Sequence, residues 1–241
     1  MIRSLDQMVE KVLSLHKKHR IAVAWPQDIH TISAIHKAVN YGLADALLIG
    51  QSTEIISICR RAGIDNEIFT IIDSEDEVKA SAEAVRLTRS GEADITMKGL
   101  VGTDKFLKAV MDKSNGLMLP DSVLSYVCAL ELPAYHKLLF ITDPAVIPST
   151  SLEQKIIMAK YAAEMAGKFG VNKPKIALIS ASEKPSRHFK SSDDYKAMCS
   201  MAEKGQFANC IMDGPLDIFL ACDKKSVVIK GINTPVNGDA D

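Results

Sequence analysis

Apolar residues recur along this chain with two alternating spacings, and the alternation predicts a βα rhythm. Leu5, Met8, Val9, Val12 and Leu15 fall on one helical stripe behind Ser4 and Gln7, which stand at capping-box spacing. The stretch 1–20 reads as an amphipathic helix containing Asp6, Glu10 and Lys11, and not as a signal peptide. The apolar run 20–25 predicts a strand. Asp28 then caps a helix with Ile32, Ile35 and Val39 on one face, stopped by Gly42. A strand over 44–49, a helix ending at Gly63 and a strand over 67–72 follow. Ser74 and Glu77 read as a second capping box before Val78, Ala82 and Val85 at helical spacing. A strand over 93–98 and a helix over 103–111 complete this half.

The rhythm changes near residue 115. Runs 123–130 and 137–142 are both strand-like, with no helix between them. Leu132-Pro133-Ala134-Tyr135 joins them, which suits a hairpin or a domain crossover. Ser151 and Gln154 then cap a long helix with Leu152, Ile156, Ala159, Ala163 and Ala166 on one face. A strand over 175–180 follows, then a helix aligning Tyr195, Met198, Cys199 and Ala202 and ending at Gly205. A strand over 209–212 leads to Asp213-Gly214-Pro215, with Pro215 expected at a first helical position. Repeated βαβ units predict an α/β fold of mostly parallel sheets with helices on both faces. The expected domains are 1–120 and 121–241.

Composition narrows the classes. At 241 residues and 47% hydrophobic, the chain can bury a core without disulfides or metals. Its 29 basic and 30 acidic residues leave a net charge of −1, so no broad footprint for nucleic acid or an anionic membrane exists. Aromatic residues at 5% argue against a base-stacking platform. No apolar run approaches a bilayer span. Cys59, Cys128, Cys199, Cys210 and Cys222 are odd in number and scattered, with no CxxC and no close His. That predicts small buried hydrophobes in a reducing cytoplasm, with no zinc site or other metal.

In α/β folds ligands gather at the loops after strand C-termini. The most informative of these is Met97-Lys98-Gly99-Leu100-Val101-Gly102-Thr103. It leaves a strand, carries two glycines and a lysine, and opens a helix with Thr103 as the expected cap. Glycines allow close backbone approach, and free N–H groups at a helix start attract anions. Lys98 adds a full charge, with Lys105 and Lys108 just beyond. It is not a Walker A sequence; the competing reading is an ordinary βα turn with a surface lysine. Residues 180–188 offer Ser182, Lys184, Ser186 and Arg187 as anion donors, against a plain solvated loop. Asp213 before Gly214 could cap the next helix or orient a substrate, and capping is the commoner role. Asp143-Pro144 reads as a turn, though it too lies at a strand end. Neither GxSxG nor GxGxxG is present.

The order of these stretches resembles the phosphate acetyl/butyryltransferase family, the butyryl branch most closely. The resemblance rests on Gly91-Glu-Ala-Asp-Ile-Thr-Met-Lys-Gly99 through Thr103, Leu124-Ser-Tyr-Val127 and Lys137-Leu-Leu-Phe-Ile-Thr-Asp143. It continues through Lys173-Pro-Lys-Ile-Ala-Leu178, Met201-Ala-Glu-Lys-Gly-Gln206, Asp213-Gly-Pro-Leu216 and Val236-Asn-Gly-Asp-Ala-Asp241. It implies a two-domain architecture like the isocitrate and isopropylmalate dehydrogenases, with the active site in the cleft between domains. It also implies acyl transfer between coenzyme A and phosphate, without metal, resident cofactor or covalent enzyme intermediate, by a homodimer. The small-molecule partners would be acyl-CoA, phosphate and acyl phosphate. Lys98, Gly99, Gly102, Thr103 and Lys108 would serve the phosphate side. Ser125, Lys184, Asp213 and Gly214 would face the same cleft from the second domain.

Two departures bear on acyl preference: Tyr126 stands where the butyryl branch commonly has His, and residues 184–190 do not follow the family sequence. In the family, the Gly-Asp-Ala-Asp stretch leads into a further strand and a final loop that carry the catalytic serine, arginine and aspartate. The resemblance thus leaves catalytic residues unassigned within 1–241 and favours a shortened chain over a natural polar tail at 233–241. The competing readings are a phosphate acetyltransferase, a non-catalytic coenzyme A or phosphate binder, and an oxidoreductase on the related dehydrogenase fold.

Overall fold

A computed structural model describes residues 1–184, 191–207 and 209–241. The chain divides into two compact units, Val9–Asp121 and Met1–Met8 with Ser122–Asp241. The first residues join the C-terminal unit because the Ile2 N–H donates to the Phe169 carbonyl at 2.8 Å and the Leu5 N–H to Glu131 Oε2 at 2.8 Å.

The first helix, α1, covers Leu5–Ser14, shorter than the amphipathic stripe predicts. Gln7 N–H donates to Ser4 Oγ, but the Gln7 side chain accepts from Arg3 instead of Ser4, so the capping box is only half closed. The N-terminal unit then runs β1 (His19–Ala24), α2 (Ile29–Asn40), β2 (Ala44–Gly50), α3 (Ser52–Ala62), β3 (Thr70–Asp73), α4 (Glu77–Arg89), β4 (Ile95–Lys98) and α5 (Thr103–Val110). All four strands are parallel, in the order β3-β2-β1-β4. Strand residues alternate between two layers. Val23, Ala46 and Leu48 pack with Ile32, Ile35, Ile55 and Ile58 of α2 and α3. Ala22, Ala24 and Ile49 pack with Ala80, Ala84 and Leu87 of α4. Helices therefore cover both faces of this sheet, as parallel pairing requires.

Local expectations shift in three places. Residues 66–68 form a 3-10 turn, so the strand begins only at Thr70. Asp76, not Ser74, caps α4, its carboxylate accepting from Val78 and Lys79 N–H. Of the expected stripe only Val85 is buried, with Ala80, Ala84 and Leu87, while Val78 and Ala82 are exposed.

In the C-terminal unit, β5 (Val127–Leu130) and β6 (Leu139–Thr142) form an antiparallel pair. The helix α6 (Leu152–Lys168) follows behind a complete Ser151/Gln154 capping box. Then come β7 (Lys175–Ile179), α7 (Ser191–Glu203), β8 (Ile211–Leu216), α8 (Ile218–Cys222) and α9 (Lys224–Lys230). The strands β7 and β8 pair in parallel. Pro215 lies inside β8 and not at a helix start. Asp217 caps α8 instead, accepting the Leu220 N–H at 2.9 Å.

All five cysteines are free, and Cys59 is fully buried. Burial pushes the thiols of Cys59, Cys210 and Cys222 up, and that of Cys199 to about 11, where Asp213 adds a second, electrostatic contribution. Among the described residues no cluster of His, Cys, Asp or Glu is placed to hold a metal ion, and no helix is long and apolar enough to cross a membrane.

Candidate active site

The sheet of the N-terminal unit reverses its strand order between β1 and β4. From β1 the chain steps outward through β2 and β3, then returns to β4 on the other side. Crevices at such switch points accept ligands. Here the loop after β4 leans on the end of β1, with Gly99 N–H bonded to Ala24 O and Leu100 N–H to Trp25 O, both at 2.9 Å. Only glycine fits at 99: a Cβ there would lie 2.7 Å from Trp25 O and 2.8 Å from Ala24 O. Lys98, exposed at the strand tip, curls over the loop, donating to the carbonyls of Gly99 at 3.2 Å and Val101 at 3.0 Å.

Gly102, not Thr103, is the N-cap of α5, and it supplies no side-chain acceptor. Its N–H donates to Glu77 Oε2 at 3.1 Å, and Lys105 forms an ion pair with the same carboxylate. Lys105 and the Gly102 amide hold the Glu77 carboxyl below its ordinary value. The anion-seeking loop thus already holds an anion from its own chain. Thr103 is exposed on the first turn of α5, and Lys108 is exposed on its last. The structure brings Lys98, Gly99, Gly102 and Thr103 into one loop, with Lys108 about 7.5 Å further along the helix axis at 1.5 Å per residue.

The C-terminal unit gathers a second polar group. Ser125 Oγ lies 3.1 Å from Thr142 Oγ1. Asp143 accepts three backbone N–H groups, from Tyr126 at 3.0 Å, Ala145 at 2.9 Å and Val146 at 2.7 Å. Partial burial acts to raise the Asp143 carboxyl, but these amides and the Ser125 hydroxyl outweigh it and hold the group below 3.8. In the sequence Asp143 reads as a turn residue that also lies at a strand end; its contacts with Tyr126 and Ser125, on the segment that leads into β5, carry no signal in spacing.

Asp213 sits inside β8, opposite Ala177, and its Oδ1 accepts the N–H of Gly214, so it is not a helix cap. Gly214 has no room for a side chain, since a Cβ would lie 2.5 Å from Leu178 Cβ. Lys184 is exposed, and its backbone N–H donates to Ser182 Oγ. Ser186, Arg187 and His188 lie outside the described residues. Among the described residues, neither Ser125 nor Lys184 hydrogen-bonds to Asp213.

Two of the motif stretches do structural work. Arg20 clips the 91–94 turn, donating to Gly91 O and, through its N–H, to Asp94. At 239–241, Asp239 receives His136, Lys137 and Lys175, while Asp241 receives the buried Lys137 at 2.6 Å. Burial acts to raise Asp239, but the lysines outweigh it and hold its carboxyl low. Tyr135 donates to Ala240 O at 2.6 Å, and its phenol is pushed up by burial and by neighbouring Cys222, Asp239 and Asp241.

A family model described as phosphate acetyl/butaryl transferase matches residues 77–241. Over all 241 residues the chain is 35% identical to phosphate butyryltransferase of Clostridium acetobutylicum, spanning 100% of this chain and 79% of that one. Over 237 residues it is 30% identical to phosphate acetyltransferase of Thermotoga maritima, covering 98% and 79%. A solved branched-chain phosphotransacylase from Enterococcus faecalis V583 superposes with a TM-score of 0.80 at 27% identity, covering 92% of this chain and 77% of that one.

Proposed function

The chain belongs to the phosphate acetyl/butyryl transferase family, and from that premise we propose that it moves a short acyl group between coenzyme A and inorganic phosphate. The observation that carries this reading is the 35% identity to a phosphate butyryltransferase along the whole chain. Butyryl is the proposed acyl group. Acetyl is the second reading, favoured by the 30% identity to a phosphate acetyltransferase. In the reaction a phosphate oxygen attacks the thioester carbonyl, the C–O bond forms, the C–S bond breaks and the thiolate leaves. The products are acyl phosphate and coenzyme A, and coenzyme A is a substrate here, not a resident cofactor.

The proposed roles follow from local chemistry. Lys98, Lys108 and the backbone N–H groups of Gly102 and Thr103 bind phosphate, which takes the Gly102 amide from Glu77, while Gly99, its own N–H engaged by Ala24 O, serves the phosphate side by letting the loop pack against the end of β1. Ser125, Lys184, Asp213 and Gly214 are proposed for the acyl-CoA side. Asp143, which stays ionised at neutral pH, orients the Ser125 hydroxyl. Positioning and preorganised donors supply most of the rate. We place the enzyme in the cytoplasm as a homodimer, with Val9–Asp121 as one domain and Met1–Met8 with Ser122–Asp241 as the other.

The test mixes the protein with butyryl-CoA or acetyl-CoA and phosphate and follows thiol release. Phosphate-dependent release, faster with butyryl-CoA, is expected. Release that ignores phosphate, or none with either thioester, overturns the assignment.

A further inference from the structure

Trp25, the one tryptophan of the chain, stands directly after β1 at the switch point, with a backbone φ of 57°. That left-handed region is open to glycine and unfavourable for a bulky side chain. Among the described residues the other non-glycine positions with positive φ are His16, Asp121, Asn209 and Asn237, residue types that enter the region more readily. Trp25 is the outlier, and three backbone hydrogen bonds hold it there. Its N–H donates to Ile49 O at 2.7 Å, and its carbonyl accepts the N–H groups of Leu100 and Gln27, each at 2.9 Å. The strained turn therefore ties the end of β1 to the loop 98–103. Strain held in this way gathers at ligand sites.

The side chain lies in the layer that the loop needs. It packs with Ala24, Ile49, Ala80, Ala84 and Val101, on the α4 side of the sheet, and α4 also sends Glu77 to the Gly102 amide. The ring is only partly buried. Every hydrogen bond of Trp25 runs through its backbone, so among the described residues the indole N–H has no partner. An indole N–H is a donor only, so it complements an acceptor oxygen and not a cation. We propose that Trp25 is a further phosphate-binding residue of this loop: its ring N–H donates to an oxygen of the inorganic phosphate that takes the Gly102 amide. This rests on the phosphate role proposed above for the loop. Glu77 already uses both carboxylate oxygens, on Gly102 and on Lys105. A phosphate has oxygens to spare, so the indole donor favours the visitor over the resident.

The chain has no other tryptophan, so emission excited beyond the tyrosine band comes from Trp25 alone. Replacing potassium chloride stepwise by potassium phosphate at constant ionic strength should change that emission saturably in the whole protein. No change overturns the proposal, and so does a change with coenzyme A but none with inorganic phosphate, which would assign the donor to the phosphates of the thiol substrate. Trp25→Phe keeps an aromatic ring and removes the donor. It should raise the KM for phosphate about tenfold, with kcat and the KM for acyl-CoA moving less than about twofold. An unaltered phosphate KM in folded W25F also overturns the proposal. The two readings fail separately. Acyl transfer without a phosphate-dependent emission removes Trp25 from the site and leaves the reaction. A saturable emission change without transfer keeps Trp25 on the anion and removes the reaction. The titration uses the unaltered protein, so it decides the matter even if W25F does not fold.

Discussion

Glu77 holds the amide proposed above for phosphate: its carboxylate accepts the Gly102 N–H at 3.1 Å and pairs with Lys105. An exposed helix start attracts any nearby anion, and the chain supplies one from the first turn of α4. Phosphate binding is then an exchange between two anions.

Removing the resident charge should favour the visitor. Glu77→Gln should lower the KM for phosphate by about two- to fivefold, equivalent to roughly 0.4–1 kcal/mol, with kcat little changed. Initial rates with phosphate varied at saturating butyryl-CoA check this. A raised phosphate KM would mean that Glu77 builds the site and does not compete for it.

Lys98 carries the nearest full positive charge on the same loop. Lys98→Ala should reduce kcat/KM for phosphate about ten- to a hundredfold, the range of one or two lost charge-assisted hydrogen bonds. The KM for acyl-CoA should move far less. An equal loss for both substrates would place Lys98 elsewhere in the reaction.

Gly99 fails differently. A methyl at this position meets the backbone oxygens of Ala24, the last residue of β1, and of Trp25 just after it, which cannot rotate away. Gly99→Ala should cost about 1–3 kcal/mol and displace the loop. Urea unfolding should show the loss of stability, and activity should fall even at temperatures where the variant remains folded.

Asp239 is one of the carboxyls that make the C-terminal unit less stable in acid. Its carboxyl titrates lower in the folded state than in the unfolded chain, so folding favours its ionised form. The stability it contributes is present above the unfolded value near 3.8 and is lost as pH falls through the folded value. Asp239→Asn should lower Tm at pH 7 and flatten the decline of Tm between about pH 4 and pH 2. Thermal melts across that range test both effects, and an unchanged slope would remove Asp239 from the acid transition.

The parallel sheet of the N-terminal unit is legible in the sequence because its strands are short apolar runs bounded by turn residues, as in 20–25 and 44–49. Caps with one candidate, such as Asp28 and Ser151, are equally legible. The α4 cap is not, because Ser74 and Asp76 both fit and spacing does not choose between them. The glycine loop at 99–103 reads as a turn that leaves a strand and opens a helix, and the structure has that form, whereas Glu77 is invisible there because it reaches Gly102 across 25 residues of chain. The contacts of Asp143 are hidden for a similar reason: Ala145 and Val146 are its neighbours in the turn, but Tyr126 reaches it from 17 residues earlier, just before β5. Asp213 and Pro215 mislead because a strand interrupted by Gly and Pro imitates a strand end.

The burial that pushes the Cys199 thiol to about 11 also clarifies the optical test of activity. At pH 7.5 the Cys199 thiol is therefore far less ionised than a free thiol of pKa near 8.5. Ellman-type reagents react with the thiolate, so they favour released coenzyme A over Cys199.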